Sequence, residues 1–206
     1  MSAGAKQRKT GEIVSLNKAR GKQPELSDAA LVAACAIGDS IALSNLYDRH
    51  HRLVFHVLRR VSGCTGADLD DLTQQVFLEV WRSAKKFRNK NGGRAWITGI
   101  TANVARNYVR KMSRARRAHE ALWHMELVNS SSKHDQPNIS ANQLSRALAE
   151  LSMDRRIAFV LCDVEGMTGP EAASALKVPE GTLWRRLSEA RLQLRTFLGA
   201  GGEEVA

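Results

Sequence analysis

The sequence predicts an all-α protein: two small helical domains joined by a flexible linker, the second containing a helix-turn-helix. Three observations predict it. Apolar residues recur at the three-and-four spacing of amphipathic helices from about residue 26 onward. That periodicity lapses over "ELVNSSSKHDQPNISANQ" (126–143), where Ser, Asn, Asp and Pro collect as they do in linkers. Beyond it the chain reads as short helices, the last two separated only by the tight turn "KVPEG". The boundaries that follow are a basic disordered tail over 1–24, a first domain over 25–120, a linker over 121–143, a second domain over 144–198 and a tail over 199–206.

The elements follow in order. Residues 1–24 carry Lys6, Arg8, Lys9, Lys18, Arg20 and Lys22 among Gly, Ser and Gln, with too few apolar side chains to fold alone. Leu31, Ala34 and Ile37 line a first helix; Ile41, Leu43, Leu46, Leu53, Val54, Val57, Leu58 and Val61 line a second, with a break near Gly38-Asp39-Ser40. "SGCTGAD" marks the next boundary. "DLDDLTQQVFLEVWRSAKKF" then places Leu69, Leu72, Val76 and Val80 on one stripe. Its acids lead and Arg82, Lys85 and Lys86 trail, the order that suits the helix dipole. The basic loop "RNKNGGR" leads into "AWITGITANVARNYVRKMSRARR", where Ile97, Ile100 and Val104 form a narrow apolar stripe. In the second domain, Leu144, Leu148 and Leu151 line one helix, and Ile157, Val160 and Leu161 line the next, which stops near Gly166. "TGPE" offers Thr168 and Glu171 as a capping box with Pro170 harmless in the first turn. After the turn, Leu183, Leu187, Ala190, Leu194 and Phe197 make the buried stripe of the final helix.

Charge restricts the partners. Among 206 residues, 31 Lys and Arg against 21 Asp and Glu leave a formal net charge of +10, which favours nucleic acid or an anionic membrane. No apolar run approaches the ~18 residues of a spanning helix, and no signal-peptide core opens the chain, so a cytoplasmic protein without membrane attachment is expected. Cys35, Cys64 and Cys162 form neither a CxxC pair nor a disulfide framework and read as reduced thiols. In "RHHRLVFH", His51 and His56 do not share a helical face and nothing completes a ligand shell; neither metal nor cofactor is expected.

Two surfaces are suited to a polyanion. From Val104 to Ala118 no acid offsets Arg106, Arg110, Lys111, Arg114, Arg116 and Arg117. Trp96 and Tyr108 add rings on which unpaired bases could stack, although a ring at a helix start is as readily core. The second surface is the opening of the last helix. Its apolar residues fall on one side and Trp184, Arg185, Ser188 and Glu189 on the other, as in a recognition helix that presents its N-terminal residues to the major groove. Arginine suits guanine O6 and N7, and Glu189 could accept from cytosine N4. Arg185 is expected to read a base, Arg186 to hold a phosphate, and Trp184 to pack on sugar or a thymine methyl.

Taken together, the chain resembles a bacterial RNA polymerase sigma factor of the extracytoplasmic-function type. "DLDDLTQQVFLEVWRSAKKFR…AWITGITANVARNYVRK" is similar to that family's region 2, and "LSMDRRIAFVLCDVEGMTGPEAASALKVPEGTLWRRLSEARLQLR" to its region 4. The resemblance implies an initiation factor without catalytic residues that binds core RNA polymerase and two promoter elements. It implies a polymerase interface at Asp70, Asp71, Gln74, Gln75, Glu79 and Trp81. Capture of the melted minus-ten strand would fall to Arg88, Asn89, Lys90, Arg94, Trp96, Asn103, Asn107 and Arg110. The duplex minus-thirty-five element would be read by Thr182, Trp184, Arg185, Arg186, Ser188, Glu189 and Arg191. An anti-sigma factor is a partner that relatives commonly have. The sequence departs from the family pattern at Ala102, where a basic residue is usual, at Trp184 and Arg185, which replace Lys and Ser, and at Pro179, which replaces a small polar cap.

Two other readings remain open from residues alone. One is a stand-alone helix-turn-helix repressor. The other is a metal-dependent nuclease or recombinase using Asp68, Asp70, Asp71 and Glu79, since two-metal chemistry needs clustered carboxylates.

Overall fold

The computed structural model describes residues 26–88, 92–123 and 139–200, with only the helical backbone described for 118–123, 139–142 and 199–200. The expected tails, most of the linker, and Asn89 and Lys90 lie outside the described residues. Within those residues the structure is helical throughout. It comprises α1 (Asp28–Ala36), α2 (Ser40–Ser62), α3 (Ala67–Ser83), a 3-10 turn (Ala84–Lys86), α4 (Gly92–Trp123), α5 (Ile139–Glu150), α6 (Met153–Phe159), a π-helical turn (Val160–Val164), α7 (Gly169–Leu176) and α8 (Glu180–Ala200).

Local chemistry explains the boundaries. Ser27 caps α1 by accepting from the Ala30 amide, and Asp39 caps α2 by accepting from Ile41 and Ala42. Gly63 closes α2 in the left-handed conformation at φ 72°, with its amide on the Arg59 carbonyl. The capping box expected at α7 is formed: Thr168 accepts from the Glu171 amide while the Glu171 carboxylate accepts from the Thr168 amide. Those donated bonds hold the Glu171 carboxyl below its usual range.

The core lies between α1, α2, α3 and α4 in the first half, where Leu46, Leu58, Leu69 and Ile97 are fully buried, and between α6, α7 and α8 in the second, around Ile157, Leu161, Leu183 and Leu187. Threonines in α3 and α4 enter this core because each hydroxyl donates one turn back: Thr73 to Leu69, Thr98 to Arg94 and Thr101 to Ile97. Ala102, where the resemblance leads one to expect a basic residue, is buried completely, and a long cation would have no room there.

Several expectations are corrected. Ile37 and Ile41 carry the right spacing but are 87% and 68% exposed, because the break at Gly38 turns both away from the core. Phe197 extends past the end of the packed stripe and stands 41% exposed. Leu144 is likewise at the rim, while Leu148 and Leu151 are buried. The helix placed at 95–117 by pattern runs from Gly92 to Trp123. His50, next to the histidines weighed as ligands, is buried with its Nε2 2.8 Å from Asp28.

Candidate nucleic-acid interface

Three surfaces carry the expected site residues. The outward face of α3 presents Asp70, Asp71, Gln74, Gln75 and Glu79, all exposed. The heptad-like spacing 71, 74, 75, 78 aligns Leu78 with them, and Leu78 is 50% exposed in the middle of the polar row. Leu78 is absent from the residues expected at this interface; its spacing from Gln74 and Gln75 is the signal that marks it. Trp81 differs, since its ring is partly buried against the core.

The second surface runs along α4. Asn103, Asn107 and Arg110 recur at intervals of four and three and are all exposed, so they form one polar stripe. Lys111 and Arg114 extend the cationic field on the same helix. Trp96 stands half-buried with its ring tilted on Phe87 at a centroid distance of 4.9 Å, which leaves one part of the indole for contact. Arg88 is exposed and donates to the Phe87 carbonyl at 3.1 Å. Arg94 reaches across to the Glu165 carbonyl at 3.1 Å. Tyr108 does not stand ready for stacking: its hydroxyl donates to Asp68 at 3.0 Å, tying α4 to the start of α3. Burial and this carboxylate push the Tyr108 pKa up to about 12.

The third surface is the helix-turn-helix of α7 and α8. Lys177 turns the chain in the left-handed conformation at φ 54°, and the Val178 amide bonds the Ala173 carbonyl at 3.0 Å, the Schellman closure with lysine where glycine is usual. Gly169 is required for a different reason: a methyl there would run into the Trp184 ring. Trp184 therefore braces α8 against the start of α7 with one part of its indole while remaining 48% exposed. Arg185 and Ser188 are exposed, and neither makes an ion pair within the described residues. Thr182 is half-buried.

The remaining charged candidates on α8 have intramolecular partners. Arg186 meets Asp154 at 2.6 Å, Glu189 accepts from Arg155 at 2.8 Å, and Arg191 grips Asp163 through both Nε and Nη2 at 2.8 and 2.6 Å. These pairs fasten α8 onto α6 and the π-helical turn. Only an alignment of the three helices in space reveals them. Among the described residues no three His, Cys, Asp or Glu side chains are grouped to hold a metal. No described helix is long and apolar enough to cross a membrane.

A helical protein with an acid-led outer face, a cationic asparagine-bearing helix and a helix-turn-helix is a nucleic-acid-binding protein of the two-module kind. Comparison with known proteins defines it further. Residues 46–115 match the family model "Sigma-70 region 2" and residues 141–194 match "Sigma-70, region 4". The chain is 32% identical over 179 residues to the ECF RNA polymerase sigma factor SigM of Mycobacterium tuberculosis, across 87% of this chain and 88% of that one. It is 28% identical over 192 residues to the RNA polymerase sigma factor CnrH of Cupriavidus metallidurans, across 88% and 99%. The solved structure of CnrH in complex with the cytosolic domain of CnrY superposes with a TM-score of 0.65 at 25% identity, covering 84% of this chain and 97% of that one. The sigma factor RpoE of Bartonella quintana, solved with the anti-sigma factor NepR, gives 0.53 at 25% identity, across 74% and 96%. The chain belongs to the sigma-70 family, among its extracytoplasmic-function members. It is a transcription initiation factor that directs RNA polymerase to promoters.

Proposed function

We propose that the two modules divide promoter recognition, with 25–120 capturing the melted minus-ten strand and 144–198 reading the minus-thirty-five duplex. The observation that carries this reading is the availability of the side chains. On α4, Asn103, Asn107 and Arg110 form one exposed stripe; on the opening of α8, Arg185, Ser188 and part of Trp184 are exposed. Amides and a cation along a helix suit splayed bases and phosphates, and a free arginine at a recognition-helix N-terminus suits a guanine edge. Arg186, Glu189 and Arg191 act chiefly as fasteners of the recognition helix. Arg186 reaches a phosphate only by leaving Asp154.

The outer face of α3 is the polymerase interface, with Leu78 as its apolar anchor among Asp71, Gln74, Gln75 and Glu79. The factor acts in the cytoplasm, contributes no catalytic group, and has an anti-sigma protein as its regulatory partner. That last reading is supported by the two neighbouring structures, one solved with an anti-sigma factor and the other with the cytosolic domain of CnrY.

Run-off transcription with purified core polymerase and genomic promoter fragments, followed by start-site mapping, tests the reading. The expected result is new start sites sharing two upstream elements. Binding of the free chain to duplex DNA with no change in start sites would replace it with a stand-alone repressor.

A further inference from the structure

The opening turn of α4 carries Arg94 and Trp96, yet its own first residues do little to fix it. Gly92 enters the helix at φ 78°, a left-handed value that glycine adopts without strain, and Gly93 follows, so two residues of high backbone freedom begin the element. A helix end frays unless something outside it holds the first turn. Here the support comes from α1. Gly93 is buried, and a methyl group on it would land on the Asp28 Cβ, so the Asp28 side chain lies directly against the α4 backbone.

Asp28 is fixed in turn by α2. Its Oδ1 accepts from Arg49 Nη1 at 2.6 Å and its Oδ2 lies 2.8 Å from His50 Nε2, while the same Arg49 nitrogen donates to the Leu26 carbonyl at 3.0 Å. An ionised carboxylate only accepts, so Nε2 carries the proton. Burial lowers the His50 pKa from its usual value and outweighs the raising pull of Asp28; Arg49 and Arg94 act in the same direction as burial, and the imidazole is neutral at neutral pH. The group therefore sums to no net charge, one carboxylate against one guanidinium. That balance matters beside a nucleic-acid surface, because an uncompensated carboxylate next to Arg94 would repel a phosphodiester strand. Asp28 lies outside the residues 46–115 that match region 2.

We propose that Asp28 is a positioning residue for capture of the minus-ten strand: it seats the opening turn of α4 through Gly93, and Arg49 and His50 hold it there without leaving a charge beside the DNA. The inference rests on the assignment of α4 to that strand made above. The seat acts on Arg94 and Trp96, which lie one and three residues beyond Gly93. Asn103, Asn107 and Arg110 sit in the middle of the helix, where the backbone is held by its own hydrogen bonds, and do not depend on it.

The test uses holoenzyme assembled from the full chain and a labelled non-template oligonucleotide spanning the mapped minus-ten element. Asp28→Ala removes the seat and should weaken capture about tenfold, the loss of part of one ring stack, with core polymerase affinity unchanged. Asp28→Asn keeps the shape against Gly93 and should retain most of the wild-type affinity. Arg49→Gln leaves the carboxylate without its cation and should weaken capture about fivefold, as one charge near a phosphate does in water, with a deficit that shrinks as salt rises. Adding Asp28→Asn to Arg49→Gln removes that charge and should restore capture, whereas two merely structural losses would add. A duplex carrying only the minus-thirty-five element should bind every variant holoenzyme alike. Capture unchanged in Asp28→Ala, or a double variant no better than Arg49→Gln, would overturn the positioning role, as would losses that only follow falling core affinity. The Arg49→Gln comparison leaves the packing on Gly93 in place, so it decides the question even where Asp28→Ala fails to fold. Wild-type holoenzyme that ignores the oligonucleotide altogether would instead defeat the assignment of α4 on which the proposal rests.

Discussion

Arg185 and Arg186 are neighbours of the same chemistry, and the structure predicts opposite consequences for losing them. Arg185 is exposed and has no ion pair within the described residues. Its removal strands no buried group, so Arg185→Ala should change stability by no more than about 0.5 kcal/mol. A bidentate arginine–guanine contact discriminates by about 1 to 3 kcal/mol, or roughly 5- to 150-fold in affinity at one base pair. Arg186 sits 21% exposed with its Nη2 on Asp154. Because Asp154 is 43% exposed and keeps Arg106, Arg186→Ala should cost at most about 1 kcal/mol, a shift of about 2 to 4 °C in Tm for a chain of this size. The assay is binding of holoenzyme to a panel of single-base minus-thirty-five variants, paired with thermal unfolding of each mutant. The expected outcome is preserved melting with relaxed preference at one position for Arg185→Ala, and lower melting with little change in preference for Arg186→Ala. Uniform weakening across the panel by Arg185→Ala would make that residue a backbone contact and refute the reasoning.

Three further outcomes are expected. Lys177→Gly relieves a left-handed lysine at the turn and should stabilise the protein by about 1 kcal/mol in denaturant unfolding, with no change in promoter choice. Tyr108 should ionise near pH 12 by ultraviolet titration, identified by its loss in Tyr108→Phe. Because the folded state keeps this proton after the unfolded state has released it, stability from the Tyr108–Asp68 bond is present below pH 10 and is lost between pH 10 and 12. Leu78→Asp should weaken association with core polymerase at least about tenfold while leaving the melting temperature unchanged, since Leu78 is half exposed in the free chain.

Much of the fold was legible because it depends on local chemistry. Gly38 and Asp39 mark the turn between α1 and α2, and Thr168 with Glu171 marks the start of α7, since caps and left-handed turns are made by residues adjacent in sequence. The stripe of Asn103, Asn107 and Arg110 could likewise be drawn on a helical wheel. Ile37, Ile41 and Phe197 show where this logic stops: their spacing is right, yet within the described residues they stand exposed, and only packing decides whether an apolar position is a core position. Tyr108 looks like a stacking ring in the sequence because its partner, Asp68, is forty residues away.

The amino-acid order alone determined that this chain is helical, that it carries two modules in a fixed order, and that its cations favour nucleic acid. Periodicity, capping and net charge are properties of neighbouring residues and of sums over the chain. Tertiary structure decided which of those cations are available. Among the described residues Arg185 is exposed without an ion pair, while Arg186 and Arg191 are bound to Asp154 and Asp163, and Arg94 and Arg106 are turned toward the other module. A charge's availability depends on what lies within about 3 Å of it in space, and sequence separation says nothing about that distance.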